Sequence, residues 1–419
     1  MLRLFSILKS KTHSIYFSGQ LFSVSGSLIQ LVAINWLAYE LTHSVFLIGL
    51  INFVRHFPIF LFGFLTGPLL DSLNRKKVFI ISLSGPVVLS LFLFFLEWNA
   101  KLSYEWLFWI CLLIGCFSAL ETPAQRTFLS DITTERSHLS RVITYDSFQI
   151  NVCRMAGPAI GGVIVASFGE AWCFLLNALF HLIGVITILC VPSTNNNGGR
   201  ESNGTILSQI KEGILYVRRT PAILRTLLII GLVSIFGIPF ITITFPVYAK
   251  DILQQGPQAL GYLNSAWGIG AIFGALWFAS IAKPRLAKKI FWTSFLFGLS
   301  TLLFSTSNSL WFCILTVSLA AFFRMIQMIA GNTLLQTVVE EKMRGRVMAF
   351  FGMTFVGLAP IGGLLAGKLG DWVGAPTTVF IGGICCLCGA ALIGWRQSSA
   401  KAPQVLTKNL SVEKTAGAD

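Results

Sequence analysis

The sequence predicts an all-α membrane protein of twelve transmembrane helices in two six-helix halves. Three observations predict it. Apolar runs of about 20 residues, each enough to cross about 30 Å of hydrocarbon, recur from Ile15 to Trp395. Charged residues make up 11% of the chain and hydrophobic ones 54%, whereas a soluble domain is roughly one quarter charged. Lysine and arginine gather in every second loop between the runs.

The runs place spans at 15–37, 46–70, 78–96, 106–129, 146–167, 172–191, 223–248, 260–282, 290–305, 310–331, 347–367 and 376–395. Each is expected to be helical, because a helix satisfies its own backbone in lipid. The first run follows Arg3, Lys9 and Lys11 like a signal peptide. It is too long for an h-region and no small-residue cleavage site follows, so it reads as a retained span. A formal charge of +14 would suggest nucleic acid on a soluble protein. Here it marks topology, so the expected partner is the lipid bilayer and no nucleic acid. The loops with Arg75, Lys76 and Lys77, with Arg136 and Arg141, with Lys211, Arg218 and Arg219, with Lys283, Arg285 and Lys288, and with Lys342, Arg344 and Arg346 share one face with both termini. The other face has Lys101 and Lys250, with Lys368 near its border. By the positive-inside rule the basic face and both termini are cytoplasmic. The sequons at Asn203 and Asn409 then face the cytoplasm and stay unmodified.

Pro192 to Pro221 is the longest interior polar stretch and divides the chain. The expected units are an N-terminal half (1–192), a cytoplasmic linker (193–221), a C-terminal half (222–396) and a disordered cytoplasmic tail (397–419). An internal repeat supports the division. Thr127-Phe128-Leu129, Ile132 and Glu135-Arg136 recur as Thr333-Leu334-Leu335, Val338 and Glu341-Lys342. Pro158-Ala159-Ile160-Gly161-Gly162 is echoed by Pro360-Ile361-Gly362-Gly363.

The nine cysteines all lie in apolar runs, which argues against a disulfide framework or a zinc site. There is no GxxxxGK[ST], no HExxH and no Ser/His/Asp constellation in a loop. No enzyme activity, cofactor or metal is expected. A membrane enzyme would need a polar catalytic cluster near an interface.

Charges inside spans are costly, roughly 3 kcal/mol each at mid-bilayer, and point to function. Arg55, Glu121, Arg154 and Arg324 are of this kind, with Gln327 beside Arg324 and Asn151 beside Arg154. Glu121 is the only deep carboxylate in the spans. It has two readings: a coupling proton site, or half of a structural ion pair with Arg154 or Arg126. The surplus of arginine favours an anionic substrate; for Arg324, bonding to backbone carbonyls or snorkelling is the rival reading. Ser23, Gly26, Ser27 and Gln30 share one face of the first span, which either lines a cavity or bonds a neighbouring helix. Asn52 and His56 flank Arg55.

The loop after the second span reads Gly67-Pro68-Leu69-Leu70-Asp71-Ser72-Leu73-Asn74-Arg75-Lys76. It resembles the signature loop of the major facilitator superfamily, with Asn74 where the second glycine stands. Asn tolerates the same left-handed turn. The resemblance implies that Gly67, Asp71, Arg75 and Asp131 form a conformational latch, Arg75 pairing with Asp131. Gly157-Pro158-x-x-Gly161-Gly162 resembles the packing motif of the export-type branches, although Cys153 replaces an upstream glycine. Trp36-Leu37-Ala38-Tyr39-Glu40, Phe245-Pro246-Val247-Tyr248 and Gly268-Ile269-Gly270-Ala271 narrow the likeness to the bacterial branch of the enterobactin exporter and macrolide efflux proteins. The resemblance covers nearly the whole chain. It implies a monomeric bacterial inner-membrane transporter that exports a siderophore-like or drug-like small molecule by alternating access, as a proton antiporter. An importing symporter of a small metabolite, or a non-transporting sensor or scaffold, is the alternative.

Overall fold

The computed structural model describes residues 6–62, 74–133, 136–192, 206–281 and 285–398. The signature residues Gly67 and Asp71, most of the linker and the tail from position 399 lie outside them. After a short 3₁₀ turn the helices are α1 (Lys11–Thr42), α2 (Val45–Phe62), α3 (Arg75–Trp98), α4 (Tyr104–Asp131), α5 (Arg136–Phe168) and α6 (Glu170–Cys190). Then come α7 (Ile206–Arg219), α8 (Pro221–Ile252), α9 (Gly256–Ser280), α10 (Leu286–Ser305), α11 (Leu310–Val338), α12 (Met343–Val373) and α13 (Ala375–Ser398). Eleven of these are long and apolar enough to cross a membrane, and α2 supplies a shorter apolar helix, Val45–Ile59. α7 is the amphipathic linker helix. Each expected span falls on its own helix over its described residues, 63–70 of the second lying outside them, and α5 and α11 run well beyond the apolar run towards the basic face.

The breaks have local causes. α1 ends at His43, which adopts φ 50° and returns its N–H to the Tyr39 carbonyl. Gly169 (φ 90°) and Gly374 (φ 85°) make the tight joints between α5 and α6 and between α12 and α13, a backbone region that glycine enters without strain. α8 and α12 are not uniform. Val233–Gly237, Tyr248–Ile252 and Met353–Gly357 are π-helical turns. The first and last stand one and two residues before a proline, Pro239 and Pro360. Proline has no N–H to donate four residues back and its ring crowds that carbonyl, so the helix widens before it.

Within the first half, α1 packs on α5 and α6, α3 on α4 and α6, and α2 on α4. In the second, α9 and α10 pack on α11, and α10 on α13. Two seams join the halves: α5 against α9, and α2 against α12. In the first seam Gly162 faces Gly261, whose ideal Cβ would lie 2.8 Å from the Pro158 carbonyl oxygen. In the second, a Cβ on Gly49 would stand 2.6 Å from the Gly363 carbonyl oxygen, and one on Gly367 would stand 2.7 Å from the Phe46 Cα. These backbones approach because no side chain intervenes, the packing that lipid favours.

Burial is distributed unequally between the two faces. On the face opposite the basic loops one apolar core runs across both halves, from Ile34, Leu37 and Ile48 to Phe245, Tyr248 and Leu260. On the basic side the clusters stay within a half. Tyr16, Phe79 and Phe128 belong to one, and Ile223, Leu335 and Val347 to another. Among the described residues, the halves are joined at the opposite face and packed separately at the basic face.

Candidate functional site

The first-half centre is built where α2 crosses α4. Gly115 lies directly under Arg55: an ideal Cβ there would stand 2.4 Å from the Arg55 carbonyl oxygen. This contact brings the Arg55 side chain into electrostatic reach of Glu121, six residues further along α4. Neither Arg154 nor Arg126 pairs with the Glu121 carboxylate within 4.0 Å, in contrast to the ion pair expected from sequence. Arg55 and Glu121 do not form an N–O contact within 4.0 Å, and one terminal nitrogen of Arg55 is buried without a hydrogen bond. Pro123, two residues beyond Glu121, cannot donate to the Ala119 carbonyl, which leaves α4 a polar notch beside the carboxylate.

Two histidines stand around this pair. His56 Nδ1 donates to the Asn52 carbonyl at 2.8 Å and His181 Nδ1 to the Asn177 carbonyl at 3.1 Å. A carbonyl accepts only, so each ring directs its Nε2 away from its own helix. His181 Nε2 lies 3.5 Å from the Ser27 hydroxyl, and both rings feel the charge of Arg55. Asn52 donates to Asn35 at 2.9 Å. The polar face of α1 lies against α6: Ser23 bonds the Gly19 carbonyl, and Gln30 accepts from Asn177 and from Ser90 at 3.2 Å. Gln30 is thus buried between α3 and α6.

The second-half centre is of another kind. Arg324 on α11 is 5% exposed. It donates to Gln327 Oε1 at 2.6 Å and to the Ser234 hydroxyl at 3.3 Å, and its guanidinium stands 4.6 Å from the centre of the Phe355 ring. Gln327 in turn donates to Ser294 at 2.6 Å. Two of the three π-helical turns contribute, Ser234 from α8 and Phe355 from α12. Arg324 neither bonds a backbone carbonyl nor reaches an interface. Among the described residues it has no carboxylate within 4.0 Å.

The remaining residues fall elsewhere. Arg154 is exposed on α5, and its carbonyl oxygen touches the seam at Gly268. Asn151 donates to the Ser147 carbonyl of its own helix at 2.8 Å. Gly157 and Gly161 admit Leu28 and Ile29 of α1, while Gly162 faces α9, so this motif touches both the first half and the seam. Arg75 donates to Asp131 at 2.9 Å, and both belong to the first half. His181, Asn177, Ser90, Ser234, Ser294 and Phe355 complete the two centres with no motif to announce them. Only His181, an ionisable side chain in an apolar run, carries a signal readable from sequence.

Two packed helical halves, joined at one face and each holding a charged centre in its interior, define a membrane transporter of the major facilitator fold. A family profile described as transmembrane secretion effector matches residues 4–410, and the chain belongs to that family of major facilitator transporters. It is 25% identical over 382 residues to the staphyloferrin A transporter of Staphylococcus aureus, covering 89% of this chain and 93% of that one. It is 24% identical over 376 residues to the multidrug efflux pump Tap of Mycolicibacterium fortuitum, covering 84% and 88%. The fold matches the inward-facing crystal structure of a bacterial homologue of the iron transporter ferroportin with a TM-score of 0.68 at 13% identity, over 93% of this chain and 99% of that one. The protein is a multi-pass membrane transporter and not an enzyme.

Proposed function

We propose that this transporter exports a small anionic or zwitterionic molecule, siderophore-like or drug-like, across the bacterial inner membrane in exchange for protons. In this reading the basic face is cytoplasmic, and the separate packing of the halves at that face corresponds to an inward-open state. The observation that carries the reading is the loose Arg55–Glu121 pair: one deep carboxylate, held near a buried arginine without contact. A carboxylate so placed can accept a proton when the cavity is dry and release it when the cavity is wet, because desolvation penalises its charged form. Arg55 then changes from a neutralised to an exposed positive charge, which an anionic substrate can meet. Arg154, exposed on α5, adds to that field, and Gln327 with Arg324 holds positive charge in the other half. The relatives named as a siderophore transporter and a multidrug efflux pump agree with export.

The test is substrate flux in proteoliposomes with an imposed pH gradient. Glu121→Gln keeps the shape and removes the titration. It is expected to abolish gradient-driven flux while sparing downhill exchange. Full gradient-driven activity in that variant would eliminate Glu121 as the coupling site and shift the assignment to His56, Asp131 or Asp146.

A further inference from the structure

Asp371, at the end of α12, joins the two halves where they meet on the face opposite the basic loops. One carboxylate oxygen accepts the Val45 N–H at 2.5 Å; the other accepts the Ser44 hydroxyl at 2.5 Å and the Phe46 N–H at 3.3 Å. Val45 and Phe46 are the first residues of α2. The carboxylate therefore satisfies the orphan N–H groups at a helix N-terminus and lies at the positive end of that helix's dipole. A residue of the second half caps a helix of the first.

The sequence around it carries a spacing that recurs once more in the chain. Gly363-x-x-x-Gly367-x-x-x-Asp371 in α12 repeats Gly63-x-x-x-Gly67-x-x-x-Asp71, which follows α2. Here the glycines of the α12 copy do what the spacing suggests. Gly363 abuts the Gly49 backbone, Gly367 abuts Phe46, and Asp371 reaches past them to the helix end. α2 and α12 run antiparallel, since the start of one lies beside the end of the other.

We infer that Asp371 is the gating residue of the face opposite the basic loops, a latch that holds α2 to α12 when that face is closed and releases when it opens. The latch does not act alone. Tyr39 donates to Asp251, Lys250 pairs with Glu40 at 3.6 Å, and Lys250 stands 5.8 Å from the Trp36 ring, all between α1 and α8. Asp371 differs from these in closing on backbone, so its contact depends on the position of a whole helix and not on one rotamer.

The experiment measures a distance across that face. Lys101→Cys and Asn308→Cys, both exposed there and in opposite halves, carry spin labels in a cysteine-free protein. Asp371→Asn keeps the size but leaves one acceptor oxygen where two are used and removes the charge. It is expected to move the ratio of open to closed conformers at this face roughly tenfold towards open. Asp371→Glu should restore part of the closed population. Ser44→Ala, which deletes one of the three bonds, should give a smaller shift in the same direction and decides the matter if Asp371→Asn does not fold. An unchanged distribution in folded Asp371→Asn, or in Ser44→Ala if that is the variant that folds, overturns the latch. The readout needs neither substrate nor proton gradient, so it stands or falls separately from the export reading.

Discussion

The two halves solve the problem of a buried arginine in opposite ways. Arg324 in the second half has only neutral partners among the described residues: an amide, a hydroxyl and an aromatic face surround it and Ser294 fixes the amide, while its Nε, like one nitrogen of Arg55, is buried without a hydrogen bond. Arg55 in the first half has a carboxylate in electrostatic reach but no contact, and one nitrogen without a bond. Neutral partners give a cation a fixed seat without giving it a proton to exchange. A loose carboxylate partner makes the local charge depend on protonation. The difference assigns change to the first half and constancy to the second.

The largest effect that could break this contrast is expected at Arg55. Arg55→Ala removes the charge that Glu121 feels and leaves a deep carboxylate unpartnered, a change that costs about 3–5 kcal/mol for a buried pair. Gradient-driven flux should be lost and thermal stability in detergent reduced. The sharper measurement is the double variant. If the two residues act as a unit, Arg55→Ala combined with Glu121→Gln should be more stable than Arg55→Ala alone, because the uncompensated charge is gone. Simple additivity of the two stability changes would mean that the residues do not couple.

A smaller and different effect is expected at Arg324. Arg324→Gln deletes two hydrogen bonds and the stacking on Phe355, and leaves Gln327 and Ser234 to find new partners. The cost should be about 1–3 kcal/mol, read as a lower unfolding temperature. The pH dependence of flux should keep its wild-type shape. A displaced pH profile in Arg324→Gln would erase the distinction between the halves.

Much of the fold could be read from the sequence because lipid imposes one dominant rule: an apolar run of about 20 residues becomes a helix. The same rule explains what was not legible. α5 and α11 continue seven to ten residues beyond their apolar runs into polar sequence, where hydropathy no longer marks the end. The π-helical turns before Pro239 and Pro360 alter the direction of Ser234 and Phe355 without altering hydropathy. In the site, the embedded charges announced themselves by their cost, and Arg75 lies near Asp131 because both sit at basic-face helix ends of one half. Their partners did not. Which arginine approaches Glu121 depends on Gly115, a crossing point that one glycine among 38 does not advertise. Asp371 was equally hidden, since an acid at a helix end reads as an ordinary loop residue until the facing helix is in view.

The smallest expected effect tests whether a polar residue inside a span must belong to the moving centre. Gln30 shares a helical face with Ser23, Gly26 and Ser27, and that pattern suits a cavity wall as well as a helix contact. In the structure Gln30 is 1% exposed, and its carbonyl oxygen accepts from Asn177 on α6 and Ser90 on α3. Those helices belong to the same half, so the cluster moves as one body when the halves rock. Gln30→Ala removes an acceptor used twice and leaves two donors to seek each other or water. Asn177 and Ser90 already bond at 2.8 Å, which softens the loss to about 1 kcal/mol. The unfolding temperature should fall slightly while the pH profile, the gradient dependence and the apparent affinity for substrate stay at wild-type values. A changed affinity in Gln30→Ala would place this residue in the transport path and carry the first-half centre across α1.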